Sequence, residues 1–313
     1  MATRDEKTAF EKAEILAEAL PYMRRFAGQT FVIKFGGHAM GDESLTELFA
    51  QDVVLLKHVG INPVVVHGGG PQISDMLDRL KIKSSFVQGL RVTDRATVEI
   101  VEMVLSGSIN KQIVVAINRA GGRAVGISGK DGGLIEARRL KRRHRDPQSN
   151  IERVLDLGFV GEPTEIHTDL LTELAGSQVI PVIAPIGSGR RGETFNINAD
   201  TVAGALAGAL RASKLIMLTD VAGVMDGKGK LVATLTPRRA RGLLAREAVT
   251  GGMIPKIETC LAALKRGTGA AHILDGRVPH ALLLEVFTAH GVGTMIEPAR
   301  RTVAPAPPAP PGG

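Results

Sequence analysis

The sequence predicts an α/β fold, a three-layer sandwich in which helices cover both faces of a central, mostly parallel β-sheet. Two observations carry this expectation. Short apolar segments alternate with helical patterns along the whole chain. The apolar segments, such as QVIPVIAPIG at 178–187 and KLIMLTD at 214–220, are continuous runs, as in strands buried on both faces. Composition agrees: of 313 residues 44% are hydrophobic but only 3% aromatic, so the core must be aliphatic. Thirty-seven glycines suit many tight strand-to-helix turns, and the length allows one large domain or two lobes sharing a sheet.

The elements run in this order. Phe10, Ala13, Leu16, Leu20 and Met23 have helical spacing, and Pro21 among them predicts a kink or a break. This helix precedes the first strand, so it either packs back on its own domain or projects as an oligomer contact. TFVIKFGG at 30–37 reads as a strand ending in Gly-Gly, followed by a helix over 43–59. NPVVVHGGG at 62–70 is the next strand, and PQISDMLDRL opens a helix with Pro71 in its first turn. A helical region spans about 94–119, and GRAVGIS at 122–128 is a strand. Residues 134–165 read as short strands around a basic loop, and 168–176 as a helix with Thr168 as N-cap. Beyond the strand at 178–187 come a helix rich in small residues (198–210), the strand at 214–220 and a helix at 253–267. Strands at 270–276 and 292–296, with a helix between them, close the pattern. The Pro-rich end, 305–313, is expected to be disordered or extended and carries no chemistry.

Several function classes recede. The single cysteine, Cys260, rules out an intrachain disulfide and reads as an inert buried thiol in a reducing compartment. The charged N-terminal stretch lacks the apolar segment of a signal peptide, and no run of 18 apolar residues predicts a membrane span. A cytoplasmic protein with no membrane partner is expected. The net charge of +7 suits an anionic substrate. RRLKRRHR at 138–145 holds six Lys/Arg and one His in eight residues and reads as a solvated loop. No aromatic residue is interleaved there to stack bases, so no nucleic-acid partner is expected.

The chemistry lies in the glycine turns. In a parallel sheet, ligands bind beyond the carboxyl ends of the strands. Two strands end there in Gly36-Gly37 and in Gly68-Gly69-Gly70, each followed by a helix. Bare N–H groups at a helix N-terminus attract anions, and glycine lets a phosphate or carboxylate approach them. No Walker-type P-loop is present. GSGRRG at 187–192 matches a dinucleotide fingerprint in spacing, but no long helix pattern comes after it. Lys34 sits inside the first strand, beside its glycine turn, and a buried lysine requires an acidic neighbour or a ligand. Asp200, at a predicted helix start, is the candidate neighbour, and Lys256 opens another helix after a glycine pair. Two lysines and an aspartate suit phosphoryl transfer, which needs placed positive charge more than an acid or base.

VIKFGGHAM, VVVHGGGPQI, GLRVTD, FNINADTVAGALA, LTDVAGVMD and GGMIPKIETC together resemble the amino acid kinase family, over roughly residues 8–297. Within it they are nearest to the branch that phosphorylates N-acetyl-L-glutamate for arginine biosynthesis. The resemblance implies ATP, arriving with Mg²⁺ and without a dedicated protein metal site, as phosphoryl donor to the γ-carboxylate of N-acetyl-L-glutamate. It makes Lys34, Lys256 and Asp200 catalytic. It assigns Gly69, Gly70, Arg91, Asn196 and Asn198 to the acceptor, and Gly36, Gly37, Thr219 and Asp220 to phosphate and nucleotide. It divides the chain into a kinked oligomerisation helix (1–28), an acceptor-binding and dimerising lobe (29–192), an ATP-binding lobe (193–300) and a tail (301–313).

The first helix and residues 272–296 are similar to the arginine-inhibited, hexameric type, a trimer of dimers, with His272, Glu285 and Gly291 at the inhibitor site. A nitrogen-signalling regulatory protein is a further partner that this kinship admits. Read without the kinship, Glu285 belongs to a solvated helix face, His272 to a strand, and Gly291 to a helix C-cap. Two other functions compete: a kinase for a different small acid, carbamate or a nucleoside monophosphate, and a non-catalytic arginine sensor or scaffold on the same fold.

Overall fold

In the computed structural model, residues 4–145, 152–288 and 291–298 are described, so the Pro-rich tail lies outside them. Helix α1 (Arg4–Phe26) leads to β1 (Thr30–Phe35), a 3-10 turn (Gly37–Gly41), α2 (Glu43–His58) and β2 (Asn62–His67). α3 (Gly70–Arg79) precedes a hairpin of β3 (Phe86–Val87) and β4 (Leu90–Arg91). α4 (Arg95–Glu102), a π-helical segment (Met103–Ile109) and α5 (Asn110–Arg119) form one continuous rod, followed by β5 (Arg123–Ser128). Next come β6 (Ile135–Arg139), β7 (Arg142–Arg145), β8 (Glu152–Leu155), β9 (Val160–Ile166) and α6 (Asp169–Ala175). β10 (Val179–Ala184), β11 (Ile186–Ser188) and β12 (Thr194–Ile197) lead to α7 (Ala199–Ala209) and β13 (Lys214–Thr219). The last elements are β14 (Thr234–Leu235), α8 (Pro237–Ala245), α9 (Met253–Lys265), β15 (Ala270–Asp275), α10 (Ala281–Phe287) and β16 (Thr294–Ile296).

One eight-stranded sheet, in the order β14-β16-β15-β13-β1-β2-β10-β5, organises the chain. Every neighbouring pair runs parallel except β15 and β16. Side chains of a strand alternate between faces. Phe31, Ile33 and Phe35 of β1 therefore enter one core with Phe49 and Val53 of α2, Ile113 of α5 and Val286 of α10. Val32 enters the other, with Val202 and Leu206 of α7 and Ile257 and Cys260 of α9. Lys34 shares the parity of Val32 and so faces α7 and α9. β6, β9, β11 and β12 close a small barrel that the linear pattern did not suggest.

Two local expectations change and a third narrows. Of the kink or break expected at Pro21 the break does not occur, since α1 runs through it. The ring lies on an exposed turn, and the Ala17 carbonyl that loses its partner also belongs to an exposed residue, where water can take it. Thr168 stands at the N-cap of α6 but makes no capping bond, because its backbone is already helical rather than extended. The basic segment is strand, not loop. Arg138 and Arg139 end β6, where Glu162 and Asp156 pair with them, and β7 pairs antiparallel with β8. GSGRRG spans the hairpin turn between β11 and β12, with no helix for a dinucleotide. Among the described residues, 95–119 is the one helix long and apolar enough to cross a membrane. Here it lies on the sheet, with Val101, Leu105 and Ile117 in the core.

α10 docks on α2 through His280, whose Nδ1 lies 2.6 Å from Asp52 Oδ1. Burial pushes the Asp52 carboxyl up to about 6, with His280 pulling the other way. A carboxyl raised in the folded state contributes its stability below the unfolded value and loses it as pH rises through about 6. That loss is worth about 3 kcal/mol at roughly 1.4 kcal/mol per pH unit. Asp52→Asn should remove this component. Urea unfolding of both proteins at pH 4 and pH 7 is expected to show the variant gaining on the wild type at the higher pH.

Candidate functional site

Three elements converge at the carboxyl end of β1. Asn198 caps α7, its Oδ1 accepting from the N–H groups of Asp200 (2.9 Å) and Thr201 (3.1 Å). This cap fixes the first turn of α7 with Asp200 facing β1. α9 approaches closely because Gly204 of α7 has no Cβ to strike Thr259. Lys34 Nζ then stands 3.2 Å from Asp200 Oδ1 and Lys256 Nζ 2.6 Å from Oδ2, the three side chains being 9%, 16% and 10% exposed for Lys34, Lys256 and Asp200. Burial alone would raise the Asp200 carboxyl, but the two ammonium groups outweigh it and hold it below the ordinary carboxylate range. The contact of Lys34 with Oδ1 is the longer of the two, so Lys256 is the more tightly held ammonium.

The glycine turns frame this cluster. A Cβ at Gly36 would sit 2.5 Å from Lys34 Nζ, so any side chain there would displace the ammonium. Gly37 has φ +76° and lies against the Asp220 carboxylate. The second turn passes close by, with Gly68 Cα 3.8 Å from the same Cβ position on Gly36. A Cβ at Gly69 would press 2.8 Å from Leu105 Cδ2, and Gly70 opens α3.

Arg91 ends β4, buried, with its guanidinium 4.5 Å from the Phe86 ring centre. It donates to Ser84 Oγ (2.5 Å), Ser74 Oγ (2.8 Å) and the Gly70 carbonyl (3.0 Å), which ties it to the second glycine turn. Burial lowers its pKa, with Asp78 opposing. A cavity of about 300 Å³ gathers Lys34, Gly69, Arg91, Asn196, Asp200 and Lys256 in its wall, with Gly37, Gly70 and Asn198 also lining it. Thr219 and Asp220 stand at the end of β13 beside the first turn but outside this lining. A groove of about 780 Å³ between α2 and α5 is larger, yet it holds none of these residues. Convergent cations and bare backbone mark the smaller cavity as the site. It can neutralise a polyanion at one end and grip a carboxylate at the other. Asp200, its one lining carboxylate, is committed to two lysines.

A second cluster lies at the opposite end of β13. His272 is buried in β15; its Nδ1 lies 2.6 Å from Glu285 Oε1 and its Nε2 2.9 Å from Lys214 Nζ. Glu285 Oε2 accepts from the Val292 N–H at 3.0 Å, and a Cβ at Gly291 would sit 2.7 Å from the same oxygen. The structure thus brings His272, Glu285 and Gly291 together. It also corrects the structural readings of two of them. Glu285 is 6% exposed rather than solvated, and α10 ends at Phe287, so Gly291 is no helix cap. Lys214, which the sequence did not single out, completes the group. Burial pushes its ammonium down to about 8, Glu285 opposing, and Phe26 of α1 covers it at 5.3 Å. Cys260 is fully buried and its thiol is pushed up to about 12 by burial, as befits an inert residue. Glu136, Glu165 and His167 are the one described trio close enough to share a cation, and none lines the cavity.

Comparison with known proteins agrees in family. The model of the amino acid kinase family matches residues 29–275. Acetylglutamate kinase of Rhodospirillum rubrum is 64% identical over 92% of this chain and 93% of its own, and that of Gluconobacter oxydans 62% identical over 92% and 98%. Among solved structures, N-acetylglutamate synthase of Neisseria gonorrhoeae, complexed with coenzyme A and N-acetylglutamate, superposes with TM-score 0.78 at 27% identity. It matches over 91% of this chain but only 63% of that longer one. Giardia carbamate kinase, at TM-score 0.63 and 18% identity, shares the fold.

The charge cluster predicts an asymmetry in stability. Lys34→Met leaves Asp200 paired with Lys256, whereas Asp200→Ala leaves two ammonium groups side by side. Removing the partner of a buried charge costs about 3–5 kcal/mol. Chemical denaturation should rank Asp200→Ala clearly below Lys34→Met.

Proposed function

The chain belongs to the amino acid kinase family, and we propose that it transfers the γ-phosphoryl group of ATP to the γ-carboxylate of N-acetyl-L-glutamate. The observation that carries this reading is the Lys34–Asp200–Lys256 cluster, set between two glycine turns with Arg91 across the cavity. The identity of about 60% to acetylglutamate kinases supports the choice of acceptor.

An acceptor carboxylate is already ionised at neutral pH, so the site needs no general base. One carboxylate oxygen attacks the γ-phosphorus, the bond from phosphorus to the bridging oxygen of ADP breaks, and an acyl phosphate results. Lys34 and Lys256 meet the negative charge on the transferring group, and Asp200 keeps both pointed at it. Mg²⁺ entering with ATP would neutralise phosphate charge, carried by the nucleotide rather than by a dedicated protein site. Gly36 and Gly37 give the phosphates a path free of side chains, and Thr219 and Asp220 border the nucleotide. The N–H groups of Gly69 and Gly70 and the Asn196 side chain hold the acceptor, whose α-carboxylate Arg91 grips. Asn198 serves by holding Asp200 in place.

Regulation by arginine belongs to the same reading. Buried Glu285, with Gly291 against it, suits a guanidinium, and Lys214 suits a carboxylate. The reading includes a cytoplasmic hexamer joined through α1, in which residues 29–192 bind the acceptor and dimerise and 193–300 bind ATP. Exposed Ile15, Leu16 and Leu20 on α1, at 65%, 66% and 53%, support the contact.

ADP release should depend on N-acetyl-L-glutamate, not on glutamate, aspartate, carbamate or UMP, and should fall when arginine is added. Turnover with another acceptor would overturn the Arg91 and Asn196 assignments, and none with any acceptor would favour a sensor. Lys34→Arg should lose about a hundredfold or more in kcat while its circular dichroism stays native, because a planar guanidinium cannot replace the point charge. Deletion of residues 1–20, which spares buried Phe26, should leave turnover but reduce both the light-scattering mass and the response to arginine.

A further inference from the structure

The second glycine turn has a brace that takes no part in the phosphoryl transfer itself. His67, the last residue of β2, is fully buried directly before Gly68. Its Nδ1 lies 2.8 Å from the Gly68 carbonyl, and its Nε2 lies 3.3 Å from Asn110 Nδ2. The protons in this chain of hydrogen bonds are determined by its far end. Asn110 Nδ2 also faces the carbonyls of Val182 (2.9 Å) and Ile127 (3.3 Å), while Asn110 Oδ1 accepts from Lys111 Nζ (3.0 Å). Nδ2 is therefore the amide nitrogen, which only donates. A proton on Nε2 of His67 would face this donor, so Nε2 is the bare nitrogen, and Nδ1 carries the proton and donates it to the Gly68 carbonyl. Burial lowers the imidazole to about 4, which keeps this neutral form across the physiological range.

The consequence falls on the next N–H. The Gly68–Gly69 peptide is trans and planar, so its carbonyl and its N–H point in opposite directions. With the carbonyl drawn back onto His67, the Gly69 N–H is turned away from the buried imidazole, at a residue that lines the cavity. Asn110 is placed for this by the rod it belongs to. It is the first residue after the π-helical segment, and Leu105 and Ile109 of that segment stand where a Cβ on Gly69 would lie. The extra residue of a π-bulge shifts the register of the next helical turn, which is a recurrent device at functional sites.

We propose that His67 is a positioning residue for the acceptor: by holding the Gly68 carbonyl it aims the Gly69 N–H at the acceptor carboxylate, and Asn110 fixes its ring. This rests on the reading of Gly69 as an acceptor contact. A glycine peptide left unheld would sample other orientations, because glycine restricts its own φ and ψ so little.

The test compares His67→Leu, His67→Gln and His67→Asn in the full chain, by steady-state kinetics with N-acetyl-L-glutamate and ATP. Asparagine places its amide nitrogen where Nδ1 stands, whereas glutamine places it nearer Nε2, so the two amides differ in reach but hardly in polarity. Leucine and glutamine should raise the KM for the acceptor about tenfold, the scale of one hydrogen bond to a charged group. The KM for ATP and kcat should stay within about twofold, and asparagine should recover most of the loss. If the leucine variant fails to fold, the glutamine and asparagine pair still decides. Equal acceptor KM in those two, or a rise shared by ATP, would overturn the proposal. A wild-type protein without turnover on N-acetyl-L-glutamate would instead sink the acceptor reading itself.

Discussion

The site depends on one buried carboxylate holding two cations. Lys34, Asp200 and Lys256 come from β1, α7 and α9, which are far apart in the chain and would place two ammonium groups together without Asp200. Desolvation opposes each charge, so the three are tolerable only as a set. The set in turn dictates its surroundings. α7 must begin at β1, hence the Asn198 cap, and must let α9 close in, hence Gly204 against Thr259. For the proposed phosphoryl transfer the same arrangement has the merit of being charged before any phosphate enters. Placed positive charge need not reorganise during the reaction.

The two glycine turns answer to different constraints, although they look alike in sequence. Gly36 is glycine because Lys34 folds back over it, so a side chain there would push the ammonium out of reach of Asp200. Gly69 is glycine because the π-helical segment packs onto it, through Leu105 and Ile109. One turn makes room for a charge. The other makes room for the helix that carries Asn110, and so for the brace on its own peptide.

Local patterns carried most of what could be read from the sequence. The sheet, its helices and the parity that turns Lys34 toward α7 arise from continuous apolar runs and the two-residue alternation of strands. Asp200 and Lys256 were legible because each opens a helix, one behind an asparagine and one behind a glycine pair. The rest depends on long-range register. The barrel of β6, β9, β11 and β12 pairs residues as distant in the chain as Asn196 with Val160, Glu136 with Glu165 and Ser188 with Glu136, and nothing local announces a closure. Arg138 and Arg139 read as loop because Glu162 lies across that register and Asp156 in the connection between β8 and β9. Lys214 looked like an ordinary strand start until β15 set His272 beside it. His67 looked like part of a glycine motif until Asn110, 43 positions away, revealed its tautomer.

β13 joins the two clusters physically. Its first residue, Lys214, sits in the His272–Glu285 group under Phe26 of α1, and its last, Thr219, stands beside the Gly37 turn. All six of its residues are buried, with β1 and β15 hydrogen-bonded on either side. Such a strand cannot bend to absorb a change at one end, because close-packed interiors shift as units rather than deform continuously. A ligand that pulled Lys214 away from His272, or moved Phe26 off it, would act on an element in register with Lys34 itself, whose strand partner is Met217. The distance between the two clusters is then only the length of a short strand, and β13, hydrogen-bonded to β1, links Lys214 to the strand that carries Lys34.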